Sequence, residues 1–168
     1  RILRGVRFAV RYRLQVEEAT GNAMKTLAHR MEALSRERVF SELCKLLPLV
    51  TAEDLMTFGP VLLAVVPELA PLWGYDQQNH HHSYDAYTHT AHAVAAVPAD
   101  PILRLTMLLH DLGKPLCYSE DGKGEGHFYG HAARSAELAD RILRRLKCDT
   151  FTREEVCRLL FDECQARL

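Results

Sequence analysis

The apolar positions of this chain fall at helical spacing in segments separated by proline, glycine and capping residues. Residues 1–13 place Ile2, Val6, Ala9 and Val10 toward one side of a helix and Arg4, Arg7 and Arg11 toward another. Ser35 is positioned to cap a helix running through Phe40, Leu43, Leu46 and Leu47, which Pro48 ends. Thr51, with Asp54 three residues on, opens a second helix through Leu55 and Phe58. Gly59-Pro60 then breaks or kinks it. The apolar run from Val61 to Val66 is too short to cross a membrane and reads as core. Pro67, Pro71 and Gly74 make 67–79 a turn-rich connector, with Trp73 as a packing anchor. Ser83 can cap a helix over 84–97, and Asp100 with Pro101 starts the next. After a glycine-rich loop at 121–126, an amphipathic helix runs from His131 to about Leu146, and a last one covers Thr152 to Leu168. The pattern predicts an all-α protein with a boundary near residue 70, dividing 1–70 from 71–168.

Against this background the stretch from Leu103 to Pro115 stands out. It reads as a buried helix stopped by Gly113 and Pro115, yet it ends in His110-Asp111. Adjacent helical residues point about 100° apart, so one shared target, such as a metal ion, would engage both side chains. A buried carboxylate is costly unless paired or metal-bound. The plainer reading is an ordinary buried His–Asp hydrogen bond at a helix end.

Bulk properties narrow the field. The 168 residues are 48% hydrophobic and 26% charged, with net charge −1, so no global field recruits nucleic acid or a membrane. The distribution is less even: residues 1–45 hold ten Lys/Arg against five Asp/Glu. Five cysteines (44, 117, 148, 157 and 164) lack metal-site spacing and read as reduced thiols of a cytoplasmic protein. The 121–126 loop carries no following Lys-Ser/Thr and is no P-loop. Arg1-Ile-Leu-Arg begins without Met in what reads as the middle of a helix, so a fragment is expected.

Two resemblances sharpen the picture. Arg1-Ile-Leu-Arg-Gly-Val-Arg-Phe-Ala-Val-Arg11, then Glu17-Glu-Ala-Thr20 and Ser35-Arg-Glu-Arg-Val-Phe-Ser-Glu-Leu43, resemble the neck of bacterial tRNA nucleotidyltransferases and poly(A) polymerases. The match departs at Tyr12-Arg13-Leu14, where relatives usually carry a Gly before an aromatic. His110-Asp111-Leu-Gly-Lys-Pro115 resembles the doublet of the HD phosphohydrolase superfamily, and His82, Asp85, Tyr87, His89 and Thr90 fit the motif that precedes it. His127-Phe-Tyr-Gly-His131 is similar to a later segment of that superfamily.

These resemblances imply neck helices followed by an HD-superfamily helical domain. His89, His110, Asp111 and His131 would be metal ligands, His131 toward a second ion. The ion would be divalent: Mg, Mn or Ni. Asp111 and Lys114 would carry the chemistry, Lys114 steadying a phosphate. Arg1, Arg4 and Arg7 would meet nucleotide or RNA, Arg1 standing where the family's Glu-Asp-x-x-Arg motif has its Arg. The implied partners are nucleotides and tRNA or RNA 3′ ends, with a catalytic head preceding this chain in the full-length protein. The implied activity is phosphohydrolase or phosphodiesterase chemistry beside tRNA 3′-end synthesis. The competing reading is an RNA-binding body with a vestigial His–Asp site. A final Asp ligand is expected from a later helix; Asp162 matches that position poorly, His92 reads as structural or supporting, and His82 and His127 fit a place near the site and one away from it equally well.

Overall fold

The structure, a computed structural model, describes residues 1–75, 84–120 and 126–165. It is built almost wholly of helices, as the periodicity predicts. Helix α1 (Ile2–Tyr12) buries Leu3, Val6, Ala9 and Val10. It ends at Arg13, which adopts the left-handed conformation (φ 51°, ψ 41°) at the point where the resemblance has a Gly. The Arg13 guanidinium sits 2.7 Å from Asp54, outside the helix it terminates. Helix α2 (Glu18–Thr26) and a 3-10 turn over Ala28–Ala33 were not legible from the apolar pattern, and α2 buries none of its residues.

Helix α3 (Arg36–Leu46) starts where the sequence places it, but Ser35 does not cap it. The Ser35 hydroxyl donates to Glu37 instead, at 2.9 Å. Thr51 does open α4 (Ala52–Thr57), in a full capping box: its hydroxyl accepts from the Asp54 N–H and the Asp54 carboxylate accepts from the Thr51 N–H. Phe58 separates α4 from α5 (Gly59–Val65). Trp73 lies against Tyr87 at 4.5 Å between ring centroids and covers Gly59, where any Cβ would overlap its ring. Trp73 stays 43% exposed, so it anchors the connector by one face only.

Helix α6 (Ala86–Ala96) begins two residues later than Ser83 would set it, because Asp85 is the cap. Asp85 accepts from the Thr88 N–H at 2.7 Å and from the Gly74 N–H at 2.6 Å, so one carboxylate starts the helix and fastens the connector. Ser83 and His80 to His82 lie outside the described residues. Helix α7 (Pro101–Leu109) opens as expected, with Asp100 accepting from the Ile102 and Leu103 N–H groups and Pro101 in the first turn. Its Leu105, Leu108 and Leu109 are fully buried, each contributing roughly 1.5–3 kcal/mol of burial. Helices α8 (His131–Arg145) and α9 (Thr150–Gln165) pack along each other, bracketed by Arg144 and Arg153 on Asp140. The one strand pair among the described residues is β1 (Ser119–Glu120) antiparallel to β2 (Gly126–His127). Residues 121–125 of the expected glycine-rich loop are outside the described residues.

One hydrophobic core runs from Leu3 of α1 to Leu160 of α9, across residue 70 without a break. Arg104 of α7, 8% exposed, is buried beside it and finds no carboxylate among the described residues. Its guanidinium donates to Leu47 O (2.9 Å) and Val50 O (2.7 Å), just past α3, and to Pro98 O (3.4 Å) and Val97 O (3.5 Å), just past α6. A cation so placed satisfies carbonyls that helix ends leave without partners. Cys44, Cys117, Cys148 and Cys157 are free thiols. Burial pushes Cys44 up to about 11 and Cys148 up to about 12, so both stay protonated and unreactive at neutral pH. Among the described residues no helix is long and apolar enough to cross a membrane.

Candidate metal centre

The end of α7 and the starts of α6 and α8 converge on one carboxylate. Asp111 is 1% exposed. It follows His110, the cap of α7, in a run of tight turns in which Lys114 N bonds Asp111 O and Leu116 N bonds Gly113 O. Those turns direct His110, Asp111 and Lys114 inward, and all three are buried. Gly113 makes the approach of α8 possible. A Cβ there would overlap the His131 carbonyl and crowd Arg134 and Ser135, while the Gly113 N–H donates to the Ser135 hydroxyl at 2.9 Å. Neither contact could be read from sequence, because only the packing of α8 against this turn creates them.

Around Asp111 the distances are short. His110 Nε2 lies 3.3 Å and His89 Nε2 3.6 Å from Oδ2, and His131 Nε2 lies 3.9 Å from Oδ1. Lys114 Nζ is 2.8 Å from Oδ2. Oδ2 is buried and has no geometrically well-formed hydrogen bond, the Lys114 ammonium meeting it as a close ion pair. Burial alone pushes the Asp111 carboxyl up. The charges of His110, Lys114 and His89 outweigh it and hold the group below the usual carboxylate range, so it is an anion.

The two histidines at the ends of the arc are held alike. His110 Nδ1 is 2.7 Å from Met107 O, and His131 Nδ1 is 2.7 Å from Phe128 O. A carbonyl only accepts, so Nδ1 carries a proton and Nε2 is the nitrogen turned toward the carboxylate. With the rings charged, Nε2–H pairs with Asp111; with the rings neutral, each Nε2 presents a lone pair to the anion, and a cation between them takes the place of the proton. His89, His110 and Asp111 offer ligand atoms all within 4.8 Å of one another. Two imidazole nitrogens and a carboxylate suit a divalent transition metal or magnesium, and a set of three leaves positions for water or substrate. On donor chemistry and on the poorly satisfied Oδ2, these residues fit a divalent ion. His131 borders the group without joining it.

Other expected residues lie elsewhere. His92 stacks on Tyr84 at 4.8 Å and His127 on Tyr129 at 5.2 Å. Asp162 is exposed and paired with Arg158 at 2.7 Å, outside the metal-type cluster. Arg1 and Arg4 line a surface cleft of about 510 Å³ with Arg38 and Lys45. Arg7 is taken up by Glu42, at 2.8 Å, and not by the Glu17 and Glu18 nearer in sequence. Position 82 is outside the described residues.

Comparison with known proteins places these features in context. Residues 13–56 match the family model described as the probable RNA and SrmB-binding site of polymerase A. The chain is 34% identical over 158 residues to the multifunctional CCA protein of Janthinobacterium sp. (strain Marseille), covering 88% of this chain and 37% of the relative. It is 40% identical over 157 residues to the CC-adding tRNA nucleotidyltransferase of Thermus thermophilus, covering 83% and 35%. It is 33% identical over 161 residues to the A-adding tRNA nucleotidyltransferase of Deinococcus radiodurans, covering 88% and 37%. The chain thus spans a little over a third of the length of these curated relatives.

Proposed function

We propose that the chain is the RNA-holding part of an enzyme of the tRNA nucleotidyltransferase and poly(A) polymerase family, with an HD-type phosphohydrolase centre built into it. The whole protein would add nucleotides to tRNA 3′ ends. The relatives' names span CCA, CC and A addition, so the likeness carries the reaction class and not the nucleotides added. Residues 1–70 are the neck and 71–168 the HD unit in this reading.

The observation that carries the hydrolase reading is the convergence of His89, His110 and His131 Nε2 on the buried Asp111 carboxylate. His89, His110 and Asp111 would hold a divalent ion (Mg, Mn or Ni), with His131 at its edge. Such an ion brings the pKa of a bound water toward neutrality and takes up charge on a phosphoester. The protein's own share is orientation. Met107 O and Phe128 O fix the two imidazoles, and Gly113 with Ser135 fixes the start of α8. The Lys114 ammonium, already beside Asp111, is placed to offset charge on a phosphate oxygen. Arg1 and Arg4 would serve nucleotide or RNA on the neck side, with Arg7, expected beside them, engaged by Glu42.

One observation favours the competing reading of a body with a vestigial site: Lys114 supplies Asp111 with a cation of its own. Elemental analysis of the purified chain beside His110→Ala separates the two. Near-stoichiometric metal lost in the variant, with hydrolysis of 2′,3′-cyclic nucleotides by the unaltered chain, is the expected result. No metal in either protein after supplementation with Mg, Mn and Ni would overturn the hydrolase reading.

A further inference from the structure

Helix α1 carries a ladder of rings and guanidinium groups on the side turned away from its core residues. Arg4, Phe8 and Tyr12 occupy successive turns at four-residue spacing, with Arg11 beside the last of them. The Phe8 and Tyr12 rings are stacked, 6.1 Å between centroids and 18° between planes. Arg4 lies 5.4 Å and Arg7 4.8 Å from the Phe8 centroid, and Arg11 lies 5.7 Å from that of Tyr12. Tyr12 is 59% exposed, and Arg4 and Arg11 are exposed as well. Arg7 is neutralised by Glu42, whereas Arg4 and Arg11 have no carboxylate partner among the described residues.

We infer that this face of α1 is a docking surface for an unpaired stretch of RNA, whose bases stack on Tyr12 and Phe8 and whose phosphates meet Arg4 and Arg11. Charge complementarity selects a polyanion, since two guanidinium groups stand without counter-charge on one helix face. The rings select among polyanions. Duplex phosphates offer them nothing to stack on, whereas every unpaired base has a π-face and arginine planes extend the stack. The ladder ends at Tyr12 and the matched RNA-binding stretch begins at residue 13, so the two adjoin in the sequence. The inference rests on the RNA-partner half of the proposed function and is independent of the metal centre.

The test is fluorescence anisotropy with a labelled oligoadenylate about 12 nucleotides long, within the usual span of single-strand sites, beside an RNA duplex of matching length. Tyr12→Ala removes an exposed ring and should leave the thermal unfolding curve unchanged while weakening oligoadenylate binding about tenfold, Tyr12→Phe restoring it. Arg4→Gln with Arg11→Gln should lower the slope of log affinity against log salt by about 1.4, two phosphate contacts at about 0.7 each for a single strand. Duplex binding should be insensitive to Tyr12→Ala. Unchanged oligoadenylate affinity in Tyr12→Ala would overturn the α1 surface alone. Failure of the unaltered chain to bind any RNA would overturn the RNA-partner reading with it. Displacement of the oligoadenylate by polyglutamate at equal charge concentration would assign the face to an acidic protein and overturn the inference likewise.

Discussion

The His–Asp centre and the outer face of α1 treat their charges in opposite ways. At the centre each functional group is fastened: His110 and His131 by backbone carbonyls, and Asp111 by burial among three imidazoles and a lysine. On α1, Arg4 and Arg11 rest against ring faces and have no carboxylate partner among the described residues. The difference is instructive. Groups that hold an ion or a reacting bond gain from being fixed in advance, because geometry lost by a fraction of an ångström is activity lost. Groups that receive a flexible polyanion gain from staying adjustable, because their partner brings many equivalent phosphates.

The largest test of this contrast is Asp111→Asn. With the anion gone, Lys114 is left as a buried charge, and breaking a buried pair from one side costs about 3–5 kcal/mol. Urea denaturation of the metal-free protein should show that loss; a variant as stable as the parent would mean the carboxylate is not what balances the lysine. Next is Gly113→Ala, where the added methyl meets backbone and not a yielding side chain. Overpacking of this kind costs about 1–3 kcal/mol, and it should also weaken metal uptake, because Gly113 lies in the turn that follows His110 and Asp111. A Gly113→Ala protein that melts normally and holds metal normally would show that α8 is not seated by this contact. The smallest effects are expected on α1, where two arginines give an internal comparison. Arg7→Gln loses a half-buried ion pair and should cost on the order of 1 kcal/mol. Arg4→Gln should stay within about 0.5 kcal/mol of the parent. Equal costs at both positions in thermal melts would erase the distinction between a structural and a waiting arginine.

Much of this was readable from the chain, for reasons that can be stated locally. The apolar side of α1, the Thr51–Asp54 box and the Asp100-Pro101 start depend on neighbours a few residues away, and each appears where the spacing puts it. The residues gathered at the centre were legible through the His110-Asp111 doublet and its resemblance, which also placed His89 and His131 near Asp111. What escaped depends on distant partners. Ser35 has the chemistry of a cap, but Glu37 competes for its hydroxyl. Ser83 and Asp85 are both suitable caps, and Gly74, eleven residues back, favours Asp85. Helix α2 buries no residue, so no apolar stripe announces it. The β1–β2 pair is two residues long on each strand, below what alternation can signal. Arg104 looks like any surface arginine until α3 and α6 end beside it.

That arginine also bears on how the molecule assembles. Its charge is accepted by two separate chain turns, one after α3 and one after α6, while its own backbone belongs to α7. Any intermediate that buries α7 before both turns have arrived must carry a desolvated cation with orphaned donors, a state costing several kcal/mol. Partial structures are therefore penalised until segments about fifty residues apart in sequence meet, Arg104 standing 57 residues from Leu47. A lone side chain in the interior thus works against half-formed species and ties the turn after α3 to the helix that carries the His–Asp doublet.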